Sequence, residues 1–444
     1  MNLMPPVVPP PIPRSVMGYR YPSMRAAQLP GMVSVAVRDL FPDLPVPLMV
    51  LGDSAEKVRE ATVSALESVD LSRIGANDSV NILCSEHGFA MMGGDAYVAT
   101  VCAVKDEVER RTGNRKLRLA FSSATSKFEG KEIIEHYKLD EYFEGRVVQF
   151  GPYEKGVEIE TEIGLLYGIG LAYKAQHIIY VHYDDPRETH FHRLNGRALK
   201  AFTMSYARIE TRGIFHNNFP TSSANIVPRA LYESPFIQEK FVCAVMLRSS
   251  PSGIMGVDAD RDLIALDKRM TRELLRDFGK MIHLFESIDS CIAVMDGHRW
   301  LHYQHAGGLT SCNLFFGPDD HLDLEIDTKS PGNPAVKAVV LNYAWKSAFT
   351  LKNTPFIAAD PRIANSLRKQ GLHYEVHSAD SLEQAMEQAH DLTGTRKAII
   401  FDGSYGAINC SREMAEALLH DAPQVTKTVD EVLMPKWLKQ RRLA

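Results

Sequence analysis

Between Thr189 and Asn218 the sequence sets His190, His192, Lys200 and His216 in one short span, in "THFHRLNGRALKAF" and "RGIFHNN". Imidazoles with an ordinary pKa near neutrality can take and return a proton within one catalytic cycle, or bind a metal through an uncharged ring nitrogen. A lysine amine becomes a nucleophile, open to acylation, once it is deprotonated. "NGR" at Asn195–Arg197 opens a helical pattern over 193–208. The free N–H groups of such an opening can hold a phosphate. By residue type alone the span reads as a metal or phosphate site.

The elements that must position these residues follow from hydrophobic periodicity. "HIIYVHY", 177–183, reads as a strand that ends in "DDPRE", so the residues from 189 onward lie past its carboxyl end. That is where open α/β sheets bind ligands. Strand patterns at 80–84, 116–122, 177–183 and 240–247 alternate with helical patterns at 95–112, 158–175 and 260–286. A second series of strands is expected at 291–296, 337–343, 355–360, 373–377 and 397–403. The spacing predicts a helix over 380–391, opened by a capping box of Asp380 with Glu383 and turning Leu382, Ala385, Met386 and Ala389 inward. The fold class is therefore α/β, as two α/β domains with mainly parallel open sheets and an active-site cleft between them. The organisation reads as a proline-rich arm over 1–31, a larger domain over 32–286 carrying the lysine and histidines, a smaller domain over 287–425 and a solvated tail over 426–444.

Composition narrows the function classes. A net charge of −5 provides no long-range field favouring nucleic acid or an anionic membrane, so neither is expected as a partner. The six cysteines form no C-x-x-C pair, which argues against a disulfide framework or zinc knuckle and for a reducing, cytoplasmic setting. Prolines interrupt "MNLMPPVVPPPIPRS" where a signal peptide would need an apolar helix, and the arm is expected to be flexible or draped over a neighbour.

The order and spacing of His190, Lys200 and His216 resemble those of the key residues in the nickel-dependent lactate racemase family. "RETHF" before His190 is similar to that family's acidic-x-His-Phe lead-in, and "VNILCSEHG" to its first strand and acidic-His turn. "KEIIEHY", "SGIMGVDADRDLIALDKRM" and "SLEQAMEQAHDLTGTRKAIIFDG" resemble later helices and strands of the family, so the likeness spans most of 80–403. It implies racemisation or epimerisation of a small 2-hydroxy acid. It also implies a nickel-pincer nucleotide, a pyridinium bis-thiocarboxylate mononucleotide tethered to Lys200, with His216 as nickel ligand and His190 as general base. Glu86 and His87 would contact the cofactor, and dedicated cofactor-synthesis enzymes would be partners. Nickel held by soft sulfur donors accepts a neutral imidazole well, and hydride transfer lies beyond ordinary side chains.

The sequence departs from the family in three places, one of them "RALK", 197–200, where the family has a more glycine-rich turn. "SSATSKFEG", 122–130, has no histidine where the family places a second acid/base, and Phe89 replaces the arginine after the acidic-His pair. His87 and His192 are candidates for the missing acid/base, and Lys127 and Arg193 for the substrate carboxylate. "HRWLHYQHAGG", 298–308, could close over the substrate as a lid. A second reading makes His182, Asp184, His190 and His192 the zinc or iron site of a hydrolase. A third is a nonenzymatic relative that binds a nucleotide or small acid.

Overall fold

Runs of Val, Ile, Leu and Ala too apolar for a solvated face can only be strands buried on both sides, and they form the centres of two parallel sheets. The computed structural model describes residues 3–8, 24–123, 127–184, 197–218, 225–296, 314, 320, 322–326, 333–343, 354–369, 375–404 and 406–443. It divides into two compact units. One consists of Met1–Gly52, Ser250–Gly253 and Glu273–Ala444; the other of Asp53–Ser249 and Ile254–Arg272.

The first unit holds a seven-stranded sheet. Its strands are β1 (Met32–Ala36), β10 (Cys291–Met295), β11 (Val336–Leu341), β12 (Phe356–Ala358), β13 (Val376–Ser378), β14 (Ala398–Phe401) and β15 (Ala407–Ser411), in the order β1-β15-β14-β10-β11-β12-β13. β10 to β14 run parallel, while β15 is antiparallel to β14 and β1 antiparallel to β15. Helix Leu382–Thr393 turns Leu382, Ala385, Met386 and Ala389 into the core, as its spacing predicts. Its N-cap is Ser381, whose Oγ accepts from Gln384 N at 3.2 Å, rather than the expected Asp380–Glu383 box; the Gln384 side chain accepts from Asp380 N at 2.7 Å.

The second unit holds a six-stranded sheet ordered β4-β3-β2-β7-β8-β9. Its strands are β2 (Val80–Ser85), β3 (Leu117–Ser122), β4 (Val147–Phe150), β7 (His177–Tyr183), β8 (Phe241–Ser250) and β9 (Gly253–Asp260). β4, β3, β2, β7 and β8 are all parallel. Helix Asp95–Thr112 matches the expected span. The expected helix over 158–175 is instead an antiparallel hairpin of β5 (Gly156–Thr161) and β6 (Gly164–Ile169), followed by the short helix Gly170–Tyr173. Its alternating Val157, Glu158, Ile159, Glu160 has the period of a strand, and Gly164 takes the positive φ of +110° at the turn.

Parts of the expected organisation differ in the structure. The division falls within helix Leu263–Glu286, not near Ser287: Leu263, Leu266 and Met270 join the core of the second unit, and Leu274, Phe278, Met281 and Phe285 that of the first. Residues 32–52 belong with the C-terminal sheet, because β1 finds its partner edge on β15. The proline-rich arm, expected to be flexible or draped over a neighbour, is tied to β1 and β15 at its described residues. Met4 exchanges backbone hydrogen bonds with Ser34, and Val7 does so with the Asn409 side chain. The solvated tail is helical, with Trp437 fully buried against Gly279, where a Cβ would stand 2.6 Å from the indole.

Trp437 also stacks on His283 at 5.5 Å. His283 Nδ1 lies 2.8 Å from Glu286, and Nε2 lies 3.7 Å from Asp320, which Lys436 and the Trp437 indole N–H also contact. Burial alone would lower the His283 pKa, but these carboxylates outweigh it and hold it at about 9. A histidine pKa above its ordinary 6.5 contributes stability that is complete below pH 6.5 and lost as pH rises through 9. Denaturant midpoints should therefore fall between pH 6.5 and pH 9.5, and His283→Gln should flatten that slope. An unchanged slope would refute it.

Candidate functional site

The second unit's sheet reverses its order of growth at β2. The chain adds β3 and β4 on one side and then crosses to place β7 on the other. The carboxyl ends of β2 and β7 thus flank a topological switch point, the crevice in which open α/β sheets take ligands. The loop after β2 carries Glu86 and His87, and the segment after β7 leads to Lys200 and His216.

Glu86 opens the 3₁₀ stretch Glu86–Gly93 and is buried, whereas His87 is half-buried. Gly88 lets this turn lie against the Tyr97 ring, since a Cβ there would fall 2.4 Å from it. Phe89 is a core residue, edge-on to Tyr97 at 4.9 Å and stacked on Phe121 at 5.2 Å. That packing makes Phe89 part of the core rather than a ligand contact. Gly88→Ala should cost about 1–3 kcal/mol by forcing the ring aside. The Glu86 and His87 turn would shift with it, and thermal melts with amide spectra of the turn would check this.

Two hydrogen bonds fix the segment before Lys200, one to this sheet and one to helix Leu263–Glu286. The Tyr180 hydroxyl, on β7, donates to Ala198 O at 2.9 Å, and Ala198 N donates to Asp267 at 3.0 Å. Lys200, half-buried, opens helix Lys200–Met204, whose Ala201 and Phe202 are buried beneath it. The next turn is fixed to β3 by Ser122 Oγ donating to Ser205 O at 2.6 Å, and to β6 by Ile169 N donating to Tyr206 O at 2.8 Å. Helix Ile209–Asn218 follows and packs against Lys200–Met204.

Arg212 on that helix is buried. Burial pulls its pKa down to about 10, opposed by the negative charge of Glu86, so the two residues lie within each other's field. One turn later His216 is exposed, with Nδ1 2.7 Å from the Arg212 carbonyl oxygen. A carbonyl only accepts, so in the neutral ring Nδ1 holds the proton and Nε2 keeps its lone pair. This is the tautomer a metal needs when it binds through Nε2. Two buried hydroxyls here, Ser85 Oγ and Tyr206 OH, make no hydrogen bond among the described residues.

The structure thus sets Glu86 near Arg212 and puts Lys200 and His216 on consecutive packed helices beside one sheet edge. His190, His192 and Arg193, the Lys127 side chain and the 298–308 segment lie outside the described residues. His182, stacked on Tyr180 at 5.2 Å, and the buried Asp184 are described, and among the described residues no three His, Cys, Asp or Glu side chains are grouped to hold a metal ion. Sequence reading missed Arg212. Its spacing of four residues before His216 was the available signal, because that spacing brings its carbonyl under the imidazole on a helix.

No helix among the described residues is long and apolar enough to cross a membrane. No family model matches the chain, and no curated protein matches it in sequence. Among solved structures it is similar, at a distance, to the lactate racemase apoprotein from Thermoanaerobacterium thermosaccharolyticum, with 13% identity and a TM-score of 0.39 over 82% of this chain and 95% of that one.

Proposed function

We propose that the chain is an isomerase that racemises or epimerises a small 2-hydroxy acid, using a nickel-pincer nucleotide. The observation that carries the reading is the His216 tautomer. A ring whose Nδ1 proton is engaged by the Arg212 carbonyl offers Nε2 as a neutral donor, which would suit a Ni(II) otherwise held by soft donors. Lys200, half-buried on the adjoining helix, fits the covalent tether, and the order His190, Lys200, His216 supports the same assignment.

When bound, the cofactor would supply an acceptor for the C2 hydride of the substrate. The chain's own residues would do the rest. Lys200 would hold the cofactor through its amide nitrogen, and His216 Nε2 would hold the metal. His190 would take the proton from the 2-hydroxyl and return it after the planar keto acid has presented its other face. Glu86 and His87, in the turn after β2, would contact the cofactor across the switch point, with the Arg212 charge close to Glu86.

The test is to make the protein together with the enzymes that synthesise the pincer nucleotide. Intact-mass spectrometry should show one covalent increment, mapped to Lys200, and elemental analysis should show bound nickel. Protein that returns at its sequence mass, without nickel, removes the reading.

A further inference from the structure

The opposite, amino-terminal edge of the same six-stranded sheet carries a second feature with no part in that chemistry. A cavity of about 330 Å³ opens there, within the size range of small-ligand sites. It lies at the starts of β2, β3 and β4 and just before β7, and its lining includes Asn81, Arg115, Lys116, Arg118, Arg146 and Lys174. β2 spans six residues, so at about 3.3 Å per residue this edge stands roughly 20 Å from the turn carrying Glu86.

Five cations line the cavity and no carboxylate does among the described residues, in a chain whose net charge is −5. Glu144, largely exposed, pairs with Arg146 at 2.9 Å and answers one of the five. Arg118 is half-buried, and its hydrogen bonds go to uncharged oxygens: Nε to Asn81 Oδ1 at 2.9 Å and Nη2 to Leu171 O at 3.4 Å. Burial lowers its pKa from the ordinary arginine value. Asn81 is itself buried and donates to Leu171 O and Ala172 O, so the guanidinium is held in a fixed orientation by a satisfied amide. Arg115, Lys116 and Lys174 stand exposed around it. A half-buried, oriented guanidinium ringed by cations is costly unless an anion completes it.

We propose that this pocket binds a small ligand bearing a chain of phosphates, with Arg118 as the forked donor and Arg115, Lys116 and Lys174 as the surrounding charge. Phosphate chains match both the charge density and the planar fork of arginine, whereas a monocarboxylate would leave most of the cations unanswered. The negative charge of the chain as a whole disfavours a general nucleic-acid surface.

Isothermal titration of the full chain with inorganic tripolyphosphate at low salt tests this. Saturable binding of one tripolyphosphate per chain is expected, weakened by added salt. Arg118→Gln should weaken it about tenfold or more, and Arg118→Lys less, since charge remains but the fork is lost. The exposed pair Arg115→Gln with Lys174→Gln should weaken it similarly, and carries the test if Arg118→Gln does not fold. Lys369→Gln, an exposed residue of the other unit, should leave binding unchanged. A nucleoside triphosphate binding as tripolyphosphate does would show that the phosphate chain alone is read; tighter binding would show that the nucleoside is read as well. No saturable binding, equal loss in Lys369→Gln, wild-type affinity in both pocket variants, or tighter binding of a single-stranded oligonucleotide would overturn the proposal.

Discussion

Lys200→Ala protein, made alongside the cofactor-synthesis enzymes, should return at its sequence mass, while the wild type carries one covalent increment. No neighbouring side chain can replace an amide nitrogen at that position, so the effect is all or none. The companion variants separate the roles. His216→Ala should keep the increment but hold nickel at least about tenfold to a hundredfold more weakly, because one coordination bond is lost while the tether stays. His190→Ala should keep increment and metal, yet lose turnover of the hydroxy acid by about a hundredfold to ten-thousandfold, as expected for a general base. An increment retained on Lys200→Ala would move the tether elsewhere and dismantle the assignment of all three residues.

The second large effect is structural. Arg25→Ala should destabilise the protein by about 3–5 kcal/mol at neutral pH, because it leaves a buried carboxylate without its counter-cation. Asp296, fully buried after β10, accepts from Arg25 Nε at 3.0 Å, from Ala26 N at 2.8 Å and from Asn342 at 2.6 Å. Arg25 also donates to the carbonyls of Asp296 at 2.8 Å and Asp402 at 3.3 Å. Burial raises the Asp296 pKa to about 6, and Arg25 is the main influence pulling it down. An acid raised above its ordinary 3.8 gives stability that is complete below pH 3.8 and lost as pH rises through 6. Without Arg25 the carboxyl rises further, so the deficit of the variant should shrink at pH 5 relative to pH 7. Denaturant titrations at the two pH values measure this, with Arg25→Lys expected between. A deficit below 1 kcal/mol at pH 7 would show that the pair contributes nothing.

Much of the fold was legible because both sheets are buried on both faces. Runs such as "VNILC" and "HIIYVHY" then have no alternative but strand. The 156–169 hairpin was misread because its length and charged residues fit a helix if the two-residue alternation of Val157 to Glu160 is overlooked. The pairing of β1 with β15 could not be read at all, since nothing local in "MVSVA" names a partner at the far end of the chain. At the site, histidine and lysine types and spacing were visible. The proton position on His216 and the buried charge of Arg212 were not, because each depends on which groups the helix brings beneath it.

The β1–β15 pairing bears on how the protein is made. During synthesis Met32–Ala36 emerges long before Ala407–Ser411, so that edge of the seven-stranded sheet must wait, unpaired, while the ribosome delivers everything between. The unit built from Asp53–Ser249 and Ile254–Arg272 has no such debt and can complete as soon as its own strands are out. Birth order along the chain therefore runs from the middle outward. The waiting strand is short and continues into "RDLFPDL", whose arginine and Pro42 limit the edge it offers to other nascent chains.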